Sequence, residues 1–118
     1  MIPELSETVR NLNIGNYRWH LFLCADQTKP LCCDKAESIV AWDYLKRRVK
    51  DLETVASVFR TKANCLRVCQ QGPILLVYPG GYWYRNANPE VIERVLQEHL
   101  LGGKPVEEFL FATNALSE

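Results

Sequence analysis

The chain has 118 residues, 47% hydrophobic and 24% charged, with a formal net charge of zero. That length makes one domain with enough apolar material for an ordinary core, so cross-links are not needed for folding. The charge balance speaks against a nucleic-acid binder, the N-terminus lacks the basic start and apolar run of a signal peptide, and no apolar stretch approaches the ~18 residues of a membrane span.

Residues 1–16 are polar with scattered apolar positions and read as a short helix or arm. YRWHLFLC (17–24) follows with the alternation of a strand, Tyr17, Trp19, Leu21 and Leu23 on one face and Phe22 and Cys24 on the other. After a cysteine-rich loop, Asp34 with Glu37 three residues on predicts a capping box. The helix it opens carries Ile39, Trp42, Leu45, Val49 and Leu52 at helical spacing. TVASVFR (54–60) predicts a second strand.

ILLVY (74–78) is apolar throughout, as in a strand buried on both faces. Pro79, Gly80 and Gly81 make a turn, and YWY (82–84) starts the returning strand of a hairpin. Asn88 followed by Pro89 predicts a helix start. Ile92, Leu96 and Leu100 form its apolar stripe, and Gly102 its stop. Residues 106–111 are expected to pack as a short strand or turn. The order is βαβ, then ββα: an α/β fold of thioredoxin type with a mixed four-stranded sheet.

Five cysteines fall in two clusters, Cys24, Cys32 and Cys33 in the first and Cys65 and Cys69 in the second. Strands joined through a helix run parallel, so the loops leaving them emerge at one edge of the sheet. Both clusters sit there. In a chain expected in the cytoplasm, where disulfides are rare, this pattern points to metal or redox chemistry. A thiol–disulfide enzyme would want Cys-x-x-Cys where the first strand meets the helix, and that spacing is absent. A structural zinc site accommodates the spacing of Cys65 and Cys69 but not that of Cys24 and Cys33. A [2Fe–2S] cluster needs four thiolates, two per iron, and two loops delivering two each supply them.

The pieces HLFLC (20–24), CLRVCQQGP (65–73), LLVYPGGYWY (75–84) and NPEVIERVLQEHLLGGKPVE (88–107) resemble the thioredoxin-like [2Fe–2S] ferredoxins. That family is also related to the peripheral iron–sulfur subunit of NADH dehydrogenases and hydrogenases. The resemblance spans residues 19–111. It implies a one-electron carrier with one [2Fe–2S] cluster, held by Cys24, Cys33, Cys65 and Cys69, with Cys32 as the alternative to Cys33. Cys33 stands nearer the helix start, but the second ligand position is a doublet and the first loop is shorter than in well-known members. The resemblance also implies redox partner proteins, a homodimer and no catalytic residues. Residues 17–111 would form the ferredoxin domain, with 1–16 an N-terminal arm and 112–118 a C-terminal tail.

A cluster on four thiolates is an anion, so N–H donors and cations near it matter. The second loop offers its amides and Arg67, and Lys35, Arg60 and Lys62 flank the loops. His20 lies ~13 Å along an extended strand from Cys24, too far to form a nucleophile pair. His20 and His99 are therefore read as structural. The alternative function is a non-redox interaction module or assembly subunit of the same fold, with zinc or no metal.

Overall fold

The structure is a computed structural model and describes residues 3–116; residues 1–2 of the expected arm and 117–118 of the expected tail lie outside the described residues. Helix α1 (Pro3–Asn11) precedes β1 (Trp19–Cys24), α2 (Lys35–Asp51), β2 (Val58–Ala63), β3 (Leu75–Tyr78) and β4 (Tyr82–Tyr84). Helix α3 (Pro89–Arg94) continues directly into a π-helix (Val95–Leu101), and β5 (Leu110–Thr113) ends the fold.

The sheet order is β2-β1-β3-β4-β5, so the sheet has five strands rather than the expected four. The fifth is β5, which pairs antiparallel to β4, Tyr82 opposite Thr113 and Trp83 opposite Ala112. Strand β2 starts later than expected, because α2 ends in a tight turn in which Val55 and Ala56 both donate their backbone N–H to the Leu52 carbonyl. The βαβ reading holds: β1 and β2 are parallel, paired from Trp19 with Val58 to Cys24 with Ala63. Both strands thus finish level, and their following loops leave together. Strand β3 pairs antiparallel to β1 on its other side, and β4 to β3.

Leu21, Leu23, Leu75, Val77 and Tyr84 point to one side of the sheet and meet Ala41, Leu45, Val91, Ile92, Val95 and Leu96 in a single core. The inward face of α2 runs through Ser38, Ala41 and Leu45, whereas Ile39, expected in the stripe, is 37% exposed. Trp42, Val49 and Leu52 pack at the margin of the core, and Arg60 lies over the Trp42 ring at 5.5 Å. The expected capping box at Asp34 does not form: Asp34 is the N-cap but its side chain makes no cap hydrogen bond. Asn88 does cap α3, its Oδ1 accepting from the Val91 N–H at 2.9 Å, with Pro89 in the first turn. Among the described residues no helix is long and apolar enough to cross a membrane.

The opposite side of the sheet is aromatic. His20 stacks on Phe22 with ring centroids 4.2 Å apart, Tyr17 stacks on Phe59 at 5.1 Å, and Phe22 meets Tyr78 edge-on at 6.1 Å. Of the YWY run, Tyr84 is fully buried in the core, while Trp83 faces the other way toward Phe111.

Candidate metal centre

The level ends of β1 and β2 create the site. Cys24 is the last residue of β1 and is buried; Cys65 comes two residues after the end of β2. The Ile74 N–H donates to Cys24 Sγ at 3.0 Å, and Cys24 N–H donates to the Ile74 carbonyl at 3.1 Å. The Cys24 sulfur is thereby fixed at the end of β1 against the residue that precedes β3. Cys24 Sγ stands 3.5 Å from Cys32 Sγ, and Cys65 Sγ 3.9 Å from Cys69 Sγ. Cys33 Sγ lies 3.7 Å from Cys32 Sγ. A cleft between the loops is lined by Cys24, Cys32, Cys65 and Cys69, with Gln27 and Ile74 among its walls; Cys33 does not line it.

Several bonds clamp the two loops together. Gly72 N–H donates to the Cys32 carbonyl at 2.9 Å. Asn64 accepts from the Thr28 N–H at 3.2 Å and donates to Thr28 Oγ1 at 2.9 Å. Asp26 pairs with both Lys35 and Lys62 at 3.3 Å, and its carboxyl is held below the usual carboxylate range by Lys62 first and Lys35 next. Two of the flanking cations are therefore engaged with a carboxylate, and Arg60 with Trp42.

Arg67, Cys69 and Gln71 all have positive φ, at 71°, 57° and 51°. Such left-handed residues alternating with ordinary ones turn backbone N–H groups into concave anion-binding cradles. Here the Arg67 N–H donates to Cys65 Sγ at 3.1 Å. Gln27 was not singled out by its sequence context, yet it is buried, donates from Nε2 to Cys32 Sγ at 3.3 Å, and accepts from Ser38 Oγ at 2.8 Å. Nothing but the folded loop distinguishes it from any polar loop residue.

Burial pushes the thiols of Cys24 and Cys33 up to about 12, and the bond to Cys65 raises that of Cys69. Proteins with such thiols keep them protonated until a cation takes the proton's place, so metal binding releases protons. Two ligand sulfurs on one tetrahedral metal, at ~2.3 Å each, stand ~3.8 Å apart. Both Cys24 with Cys32 and Cys65 with Cys69 are close to that spacing. Sulfur ligands delivered as pairs, with N–H donors aimed at the sulfurs, fit a dinuclear iron–sulfur group better than mononuclear zinc. The histidines are elsewhere: His20 bonds Thr61 Oγ1 at 2.7 Å, and His99 Nδ1 the Tyr84 hydroxyl at 2.8 Å.

No family model matches the chain. Among curated proteins it is 28% identical over 98 residues to a 2Fe–2S ferredoxin of Aquifex aeolicus, an overlap of 79% of this chain and 88% of that one. It is 26% identical over 97 residues to a 2Fe–2S ferredoxin of Clostridium pasteurianum, covering 78% of this chain and 94% of that one. Among solved structures it superposes on a thioredoxin-like [2Fe–2S] ferredoxin from Aquifex aeolicus with a TM-score of 0.72 and 26% identity, over 85% of this chain and 96% of that one. The chain is similar to the thioredoxin-like [2Fe–2S] ferredoxins. The fold is thioredoxin-like, and the similarity to these ferredoxins extends over most of the chain.

Proposed function

We propose that the chain is a one-electron carrier, not an enzyme, holding a single [2Fe–2S] cluster on Cys24, Cys65, Cys69 and one cysteine of the doublet at 32 and 33. The observation that supports this most directly is the pairing of thiols, Cys24 with Cys32 at 3.5 Å after β1 and Cys65 with Cys69 at 3.9 Å after β2, at the common end of two parallel strands. When bound, the cluster supplies a one-electron couple; an all-cysteine cluster is anionic in both oxidation states. The chain's part is to hold that charge. The N–H groups of Ile74 and Arg67 and the Gln27 amide donate to sulfur, which favours the anion in a partly buried setting.

Cys24 is buried whereas Cys65 and Cys69 are exposed, so a redox partner protein would approach from the second loop. The chain's formal charge is zero, so a bound cluster would leave it only mildly acidic, and a large negative face is not its means of finding that partner. Residues 17–111 are taken as the functional domain, in a cytoplasmic protein. A homodimer is part of the same reading. The aromatic sheet face carrying Phe22, Phe59 and Tyr78 gives a second copy a place to pack. Light scattering of Phe22→Glu beside the parent protein tests this, with a drop to monomer mass expected.

The function is tested by purifying the protein without air and measuring its visible spectrum, iron and sulfide. A red-brown protein with about two irons and two sulfides per chain is expected. A colourless protein that stays iron-free after reconstitution would move the assignment to a zinc or metal-free interaction module.

A further inference from the structure

The geometry points to Cys32, not Cys33, as the fourth ligand, leaving Cys33 as an unligated thiol beside the site. This inference rests on the cluster reading above. Sequence distance to the helix favours Cys33; the path of the folded loop favours Cys32. Cys32 lines the cleft with Cys24, Cys65 and Cys69, and Cys33 does not. Its sulfur stands 3.5 Å from that of Cys24, a spacing that two sulfurs on one tetrahedral iron can adopt.

Two further observations separate the neighbours. The first is how each is held. The Cys32 carbonyl is tied to the second ligand loop by the Gly72 N–H, and its sulfur packs so closely on Gly72 that no β-carbon fits there. Cys32 is thus pinned to the loop that carries Cys65 and Cys69. Cys33 follows it directly before Asp34, the N-cap of α2, and belongs to the helix entry. The second is hydrogen bonding to sulfur. Gln27 Nε2 is 3.3 Å from Cys32 Sγ but 3.9 Å from Cys33 Sγ. The four cleft-lining thiols therefore include the one that Gln27 supports at the shorter distance. Ligating thiolates gather such donors because each donor stabilises the anion.

The test compares the parent protein with Cys32→Ser and Cys33→Ser, each reconstituted and measured for visible spectrum, iron content and far-UV circular dichroism. Cys33→Ser is expected to keep the parent spectrum and iron content. Cys32→Ser is expected to lose the cluster, or to hold it with charge-transfer bands moved to shorter wavelength by an oxygen ligand, while its circular dichroism stays native. A Cys33→Ser protein with shifted bands or reduced iron overturns the assignment. So does a Cys32→Ser protein with the parent spectrum. A parent protein that never takes up a cluster fails the electron-carrier reading itself, which separates that failure from the ligand question. Alkylation of the intact holo-protein gives a second readout. A single modified cysteine, located at Cys33 by peptide mass, supports the inference, and label on Cys32 overturns it.

Discussion

Gly72 N–H donates to the Cys32 carbonyl at 2.9 Å, and a β-carbon on residue 72 would fall 2.5 Å from Cys32 Sγ. This close approach couples the two cysteine loops through their backbones. Gly72→Ala would drive the loops apart, at a cost of roughly 1–3 kcal/mol for overpacking. The expected outcome is a lower melting temperature together with less iron per chain than the parent after identical reconstitution. A protein that melts lower but retains full iron would mean that the contact serves only the fold.

Arg67 occupies the left-handed region at φ 71°, where a non-glycine residue is held at a cost of roughly 1–2 kcal/mol. What the site uses of this residue is its backbone N–H, bonded to Cys65 Sγ. Arg67→Gly should therefore keep the cluster and leave the melting temperature unchanged or slightly raised. Arg67→Val, whose branched side chain resists this conformation, should lower both. Loss of iron in the glycine variant would show that the guanidinium, not the amide, supports the site.

Glu93 joins α3 to α2. It accepts from Arg48 Nε at 2.7 Å, the Tyr44 hydroxyl at 2.6 Å and Gln97 Nε2 at 2.8 Å. Arg48 above all, with Tyr44 and Gln97, holds its carboxyl down to about 2, against an ordinary 4.5. The folded value lies below the unfolded one, so this stabilisation is complete above pH 4.5 and is lost as the pH falls toward 2. The cluster of groups is partly exposed, so Glu93→Gln should cost only about 1 kcal/mol at neutral pH. Denaturant unfolding at pH 7 and pH 2.5 checks this: the difference between parent and variant should shrink at the lower pH.

His99 is buried, and burial lowers its pKa. Val106 N–H donates to the Tyr84 hydroxyl at 3.1 Å, and the hydroxyl, whose hydrogen is free to turn, shares a 2.8 Å hydrogen bond with His99 Nδ1. Burial favours the neutral ring, and with the hydroxyl donating to Nδ1 the ring proton belongs on Nε2. A basic group whose folded pKa is depressed resists protonation in the folded state. Its contribution is complete above its ordinary 6.5 and is lost as the pH falls below that value. NMR titration should find His99 neutral at pH 6.5. Tyr84→Phe leaves Val106 N–H and His99 Nδ1 without partners and should cost about 1–3 kcal/mol. A His99 that titrates at or above 6.5 would contradict the bonding described.

Much of this was legible in the chain. The apolar run of β3, the Asn88 cap with Pro89 behind it, and the parallel pairing of β1 with β2 all follow from local chemistry and the βαβ order. Parallel pairing alone brings Cys24 close to the loop of Cys65 and Cys69. Cys32 and Cys33 are neighbours in sequence, and distance to the helix start favours Cys33; the folded loop path, with its contacts to Gly72 and Gln27, favours Cys32. Strand β5 was ambiguous because its four residues gain their partners only from β4 at the sheet edge. The start of β2 was misplaced because Val55 has strand-like character but is spent in the turn closing α2.

A redox-active dinuclear cluster on these thiols would carry a spin signature that zinc or an empty site lacks. Electron paramagnetic resonance of the reconstituted protein before and after dithionite addresses it most directly. The oxidised protein is expected to be silent and the reduced one to give a low-temperature signal integrating to about one unpaired electron per chain, since the cluster takes a single electron. A protein that carries bound metal yet stays silent after reduction, with no bleaching of its visible bands, would contradict a cluster on these thiols.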